Sequence, residues 1–445
     1  MRQWRVVAAL VAAFLSGSAP ARATDEESLE ERVRRLERRL EQQDKELETL
    51  RAAQTPPPEK AAAPEKAAEP GTFRFFWKDG VRAETTDGNF ELRLGGRTQA
   101  DFAFFSEDED VKSDVGEVEN GAEFRRARLH VGGTIYERVT FQAEYDFAGG
   151  EAEFKDVYMG LLDLPYVGDL LVGHFKEPFS LEELTSSRFI TFMERALPNA
   201  FSPSRNMGIM LANAVFDERA TWAMGVFRDS DDFGSSSEDG GFNFTGRLTG
   251  LPYFTDGGRR LVHLGAAYSH GDPEGDEIGF SQRPEAHLAP RFVDTGDVPT
   301  DGLDRMGLEA AWVHGPFSLQ GEYLRTWVDT SGATPSFDGY YVQASYFITG
   351  EHRPYKTGRG SFDRVRVNRP FLFGEGGPGA WEVATRYSAI DLSDEDVRGG
   401  RLSDVTGGVN WHLDDNVRVS ANYVWANLHT VGDTHALQTR FQIDF

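Results

Sequence analysis

The chain has 445 residues and carries 72 Asp and Glu against 47 Lys and Arg, a formal net charge of −25. That balance excludes nucleic acid as a partner, because phosphate backbones call for a basic face. Cysteine is absent, which removes disulfides and thiol catalysis. No run of about 18 apolar residues follows the N-terminal stretch, which removes a helical membrane span.

Residues 1–23 read as a secretory signal: Arg2 and Arg5 begin it, Val6 to Leu15 are apolar, and Ala21-Arg22-Ala23 is a small-x-small cleavage site. The mature chain is expected to begin at Thr24. Over residues 24–53, Leu29, Val33, Leu36, Leu40, Gln43, Leu47 and Leu50 alternate spacings of four and three, the seam of a coiled-coil helix. Such a narrow stripe is hidden by copies of itself or by a partner such as the cell wall. Residues 54–72 form a Pro- and Ala-rich linker without core-forming content.

From residue 73 to 445 the pattern is that of a transmembrane antiparallel β-barrel. Segments of about ten residues alternate apolar and polar, separated by Gly, Asp, Asn and Pro. Strands are expected near 90–104, 122–136, 138–147, 152–162, 169–177, 207–216, 220–228, 241–250, 260–270, 306–314, 317–327, 338–349, 379–390, 403–412, 416–427 and 436–445. That all-β count, about 16, is even, as bacterial barrels require. In the last strand Leu437, Thr439, Phe441, Ile443 and Phe445 share one face, with Gln438, Arg440, Gln442 and Asp444 on the other. Tyr340, Tyr341, Tyr346 and Phe347 sit near strand ends, where the aromatic girdles of a barrel belong. The apolar face is expected to meet lipid and the polar face an aqueous bore.

No enzyme motif is present: there is no HExxH, Walker loop or GxSxG elbow, and no catalytic, metal or cofactor site is expected. His174, His263, His270, His287 and His352 lack partners at metal-ligand spacing. The acidic runs 107–110 and 229–232 lack the ligand order of a calcium loop. The informative residues are cations on polar strand faces: Arg93, Arg97, Arg126, Arg128 and Lys176, then Arg247, Arg325, Arg386 and Arg440. An Arg facing lipid at the midplane costs about 2–4 kcal/mol, so the register that turns these side chains inward wins. Inside, they either draw anions or pair with the inward carboxylates Asp101, Glu144, Asp146 and Asp156. The segment 176–206 is too long for a turn and too apolar for an exposed loop. Ser180 and Glu183 form a capping box, and a helix continuing from it would carry Arg188, Phe192 and Arg195 on one face. Folded into the barrel, this segment would bring Arg188, Arg195 and Arg205 to a constriction.

Three stretches resemble the phosphate-selective porin O/P family of outer-membrane channels. They are Leu94-Gly95-Gly96-Arg97-Thr98-Gln99-Ala100-Asp101, then Phe124-Arg125-Arg126-Ala127-Arg128-Leu129-His130-Val131 with Tyr145-Asp146-Phe147, and the segment from Gly173 to Phe201 with its Phe-Met-Glu-Arg core. The resemblance implies a trimeric 16-stranded barrel in the bacterial outer membrane, surrounded by lipid, with a constriction loop and inward cations that draw small anions such as phosphate. It places anion contact at Arg97, Arg126, Arg128, Lys176, Arg188 and Arg195. One departure is that the expected external loops 106–119 and 228–240 are acidic. A broad diffusion porin, or an envelope tether acting through the coil, are the rival readings.

Overall fold

The computed structural model describes Gln42, Lys45 and residues 72–236, 241–371 and 376–445. The chain divides into two units, Met1–Ala68 and Glu69–Phe445. The expected signal, coil and linker lie outside the described residues, apart from Gln42 and Lys45, which are helical.

Among the described residues of the second unit, sixteen strands form the barrel: β1 Phe90–Glu107, β2 Gly121–Ile135, β3 Val139–Asp146, β4 Glu153–Leu164, β5 Gly168–Lys176, β6 Arg205–Val215, β7 Ala220–Arg228, β8 Asn243–Thr255, β9 Arg260–Gly271, β10 Gly302–His314, β11 Phe317–Asp329, β12 Ser336–Phe347, β13 Ala380–Asp394, β14 Val397–His412, β15 Val417–Leu428 and β16 Gly432–Asp444. Each pairs antiparallel with the next, and β16 returns to β1 through Thr434↔Glu107 to Asp444↔Arg97. Closure removes the sheet edge, so every strand finds a backbone partner within a membrane. The last residue completes the seam: Gly96 N donates to Phe445 O at 2.7 Å and Phe445 N donates to Gly96 O at 3.0 Å. Two short strands the periodicity did not reveal, Phe73–Trp77 and Val81–Thr85, form a hairpin that takes over as partner of β1 beyond that seam, through Val81↔Leu94 to Glu84↔Glu91.

Alternation sorts the side chains as expected. Leu94, Phe104, Phe124, Leu129, Leu248, Leu264, Leu437 and Phe441 are each about half or more exposed on the outer face, while Arg97, Gln99, Asp101, Arg386 and Arg440 are buried inside. Of the four aromatics assigned to girdles, Tyr340 and Tyr346 point outward, but Tyr341 and Phe347 are buried inside, because neighbouring strand residues take opposite faces. Seven connections lie at one end of the barrel, and six of these are short, such as 136–138, 165–167 and 315–316. The opposite end carries 108–120, 177–204, 229–242 and 272–301, which marks it as the external end.

The interior is not uniformly polar, in contrast to the expected sorting. Phe179, Leu197, Phe201, Phe280 and Phe292 from external connections pack on inward-facing Leu303, Leu324, Val328, Phe337, Ile390 and Leu402 of the wall. The upper wall is apolar there because folded connections, rather than water, cover it.

Candidate functional site

Three connections fold into the barrel and shape its bore. The first, 177–204, begins with the expected cap: Ser180 Oγ accepts the N–H of Glu183 at 3.2 Å, at the start of the short helix Leu181–Leu184. The helix ends there, so Arg188, Phe192 and Arg195 do not share a helical face, contrary to the sequence expectation. The reason is visible at Arg195, whose guanidinium donates to the carbonyls of Glu182, Glu183 and Thr185 at 3.1, 3.1 and 3.2 Å. A continuing helix would need those of Glu182 and Glu183 for its own ladder.

The second, 272–301, carries a hairpin of Glu277–Gln282 and Val293–Pro299. Near its tip, Glu285 accepts from Arg386 Nε at 3.0 Å and from the hydroxyls of Ser388 and Thr406 at 2.5 Å each. The third, 348–379, enters from the short-turn end. Its Arg353 donates to Gln320 at 2.9 Å and lies 3.8 Å over the Phe362 ring, and Gly360 O accepts from Arg247 at 2.7 Å. The first and third meet where Phe362 N donates to Thr185 Oγ1 at 3.4 Å.

The inward cations are mostly paired. Arg97 donates to both Glu144 oxygens at 2.8 and 2.7 Å and to Ser187 at 2.8 Å. Arg128 bridges Glu144 at 3.1 Å and Asp146 at 2.6 Å. Arg126 donates to Gln99 at 2.9 Å and lies 3.9 Å from Glu194. Asp101 takes a two-pronged bond from Arg440 at 2.7 and 2.6 Å. Lys176 and Arg195 share Glu183 at 2.7 and 3.1 Å, and Arg205 holds Asp156 at 2.8 Å. Arg93, with its side chain one-third exposed, stands 4.0 Å from Glu91. Arg188 has no carboxylate within ion-pair distance among the described residues; its contacts are Ser186 at 3.3 Å and the Phe189 ring at 5.2 Å. In a low-dielectric interior these geometries hold guanidinium planes fixed against carboxylates, so the charges are ordered before any solute arrives.

The inner side chains that keep some exposure gather on one side: Arg93 of β1, Asp156 and Tyr158 of β4, Arg205 and Met210 of β6, and Arg188 of the inserted loop. The walls of β10–β16 are largely covered by the inserted connections, though a cavity beside Arg188 is also lined by Glu382, His412, Arg418 and Gln442 of that side.

Two positions escaped simple alternation. Arg125 faces inward beside Arg126 because a bulge, seen as the shift between Gln99 and Ala100, places two successive β2 residues on one face. Its partner Glu194, at 3.0 and 3.1 Å, also binds Arg440 at 2.8 Å, so the Glu of the Phe-Met-Glu-Arg core joins loop to wall. The doubled arginine was the only sequence signal of this. Arg325 reverses the expectation: Gln320, Glu322 and Leu324 are the buried residues of β11, and Arg325 lies on the outer face near the strand's external end. There the penalty for an outward cation falls to about 0–1 kcal/mol. The histidines take ordinary partners, as in His263 with Glu309 at 3.2 Å, and no cluster fit for a metal occurs among the described residues.

The comparisons agree with this architecture. The family model "Phosphate-selective porin O and P" matches residues 92–445. Porin O of Pseudomonas aeruginosa is 31% identical over 392 residues, covering 78% of this chain and 86% of the relative. An uncharacterized protein of Caulobacter vibrioides is 30% identical over 395 residues, covering 84% and 74%. Among solved structures, the anion-selective porin from Comamonas acidovorans superposes with a TM-score of 0.52 at 15% identity, covering 80% of this chain and all of that one. A bore lined by charge, a closed 16-strand wall and these matches make the chain an outer-membrane channel rather than an enzyme: it belongs to the phosphate-selective porin O and P family.

Proposed function

We propose that the barrel is a passive, water-filled channel for small anions, with phosphate among its solutes. The observation that carries this reading is the grouping of Arg97, Arg128 and the carboxylate-free Arg188 in the interior, with Arg205 close by. These cations exceed what Glu144, Asp146 and Asp156 neutralise, and an excess of fixed positive charge in a narrow aqueous path concentrates anions. Charge-assisted bonds from guanidinium groups replace the hydration of a phosphate as it passes. The family description and the name of the Comamonas porin support the same direction. Arg93, Arg126, Lys176 and Arg195 complete the proposed basic lining, with Asp101, Glu144, Asp146 and Asp156 opposing it. Reversal potentials in planar bilayers under a KCl gradient test this: anion preference is expected, reduced in Arg188→Ala. Cation preference in the purified wild-type channel would overturn it.

The extent of ion pairing favours a second reading, a broad diffusion porin in which carboxylates balance the arginines. Equal permeability to phosphate and to acetate of similar concentration would select it. We further propose a homotrimer in outer-membrane lipid, with residues 24–53 meeting one another or the cell wall after removal of residues 1–23. Crosslinking through a cysteine introduced at Leu36 separates self-contact from wall contact.

A further inference from the structure

At the short-turn end, the N-terminal hairpin of Phe73–Trp77 and Val81–Thr85 adds to the wall a small sheet with two unlike faces. Its register sets Trp77, Val81 and Leu94 of β1 in one row, Phe75, Ala83 and Leu92 in the next, and Phe73 with Thr85 in a third. The alternate rows hold Phe76, Arg82 and Arg93, then Arg74, Glu84 and Glu91. Residues opposite each other on a ladder share a face, so the first set continues the outer face on which Leu92 and Leu94 lie. There Phe75 is 72% and Trp77 60% exposed, comparable with Phe104 at 58% and Phe124 at 64% on the outer wall. The other face satisfies its own charges: Arg74 holds Glu84 at 3.4 Å and Arg82 holds Glu91 at 2.5 Å.

The seam fixes where this sheet stands. Phe445 pairs with Gly96, so Val81, opposite Leu94, takes the place of a β16 residue two positions beyond the C-terminus. The hairpin tip, 78–80, is tied to the β14–β15 turn by Arg366, which donates to Asp79 and Asp415 at 3.0 Å each. Elsewhere around this end exposed aromatics form the girdle: Tyr136, Tyr166 and Phe216 at the turns, with Tyr253, Trp312 and Trp381 near strand ends. Residues 417–422 at the start of β15 include no aromatic. Beside that turn, Phe73, Phe75 and Trp77 supply what the strand lacks. Among the described residues Phe73–Trp77 pairs on one side only, leaving an open edge. Such an edge does not occur within hydrocarbon, which places the strand at headgroup level.

We propose that the apolar face of this hairpin lies on the phospholipid of the periplasmic leaflet. Phe73, Phe75 and Trp77 reach between the headgroups to the first acyl carbons, and the backbone stays in the headgroup zone, where its free edge is hydrated. Aromatic rings suit that boundary, as in the girdles of other barrel sectors. A large exposed apolar patch marks an interaction surface. Its unbroken continuity with the outer face of β1 makes lipid the occupant, since the leaflet that covers Leu92 and Leu94 meets the next two strands of the same sheet. The paired charges of Arg74, Glu84, Arg82 and Glu91 keep the other face in water. The contact lies outside the bore and does not depend on which solute the channel passes.

The test exploits the absence of native cysteine. Bimane is attached to F73C, F75C and R74C in the full-length channel, reconstituted in phosphatidylethanolamine and phosphatidylglycerol vesicles with or without lipid brominated on its upper acyl carbons. Brominated lipid is expected to lower emission about twofold from F73C and F75C, as it does from F441C on the lipid-facing wall. R74C, on the opposite face, is expected to respond to aqueous iodide and not to bromine. Quenching of F73C and F75C by iodide but not by brominated lipid would overturn the proposal. Disulfide-linked dimers of F75C in native membranes would overturn it too, because a second copy would then cover this face. Either aromatic position decides the test should the other variant fail to fold. The readout is independent of reversal potential, so the anion reading stands or falls separately.

Discussion

The carboxylate of Glu322, on β11, accepts the backbone N–H of Leu181, in the first inserted segment, at 2.9 Å across the barrel interior. The adjacent N–H of Glu182 reaches the other oxygen at 2.8 Å, and Tyr341 Oη donates to the same carboxylate at 2.6 Å. A wall residue thus caps a helix that lies 140 positions away in sequence, and this bond is one of those that tie the segment to the wall.

Replacing Glu322 with Ala should release that segment. Two buried N–H donors would lose their acceptor, each worth about 1–3 kcal/mol when left unpaired. The expected outcome is a noisier channel with larger single-channel conductance, whereas Glu322→Gln, which keeps one acceptor oxygen, should change it less. An unaltered current in the Ala variant would show that the segment is held elsewhere.

Glu144→Gln should raise anion preference. The carboxylate now neutralises Arg97 and Arg128 together, and a neutral amide leaves both cations uncompensated. Breaking a buried pair in this way destabilises by about 3–5 kcal/mol, so the heat-modifiable barrel band on gels should unfold at lower temperature. Reversal potentials should shift further toward that of the anion.

Gly95→Ala should weaken barrel closure. A Cβ there would stand 2.3 Å from Phe445 O and 2.6 Å from the His130 ring. Backbone cannot yield as a flexible side chain can, so the seam between β1 and the C-terminus must shift. Slower membrane insertion and a lower unfolding temperature are the expected readouts, while Gly407→Ala, where a Cβ meets open space, serves as control.

At the short-turn end, Asp79 latches the N-terminal hairpin to the third inserted segment through both terminal nitrogens of Arg366 at 3.0 Å and Arg364 Nε at 3.2 Å. Burial pushes the Asp79 carboxyl up, but the Arg366 hydrogen bond and the charges of Arg364, Arg366 and Arg82 outweigh it and hold the group below its ordinary 3.8. A carboxyl depressed in the folded state contributes its full stability above 3.8 and loses it as pH falls through the lower folded value. Current noise should therefore be constant from pH 7 down to about 4 and grow below that. Asp79→Asn should show the acid behaviour already at neutral pH.

What the sequence by itself determined is the wall. Two-residue alternation is local, so each strand announces which side chains face outward, and all sixteen expected segments coincide with barrel strands. The same pattern carried Leu437 to Phe445 and the inward direction of Arg97, Arg126, Arg128 and Arg440. What only the tertiary structure decided is how the interior is filled. Whether an inward arginine is free or neutralised depends on partners far along the chain, as with Arg386 and Glu285, 101 positions apart, or Arg440 and Asp101, 339 apart. No periodicity encodes such distances. Register defects belong to the same class: one extra residue in β2 turned Arg125 inward, and the phase of β11 turned Arg325 outward, because a strand's facing is set by its neighbours' hydrogen bonds as much as by its own composition.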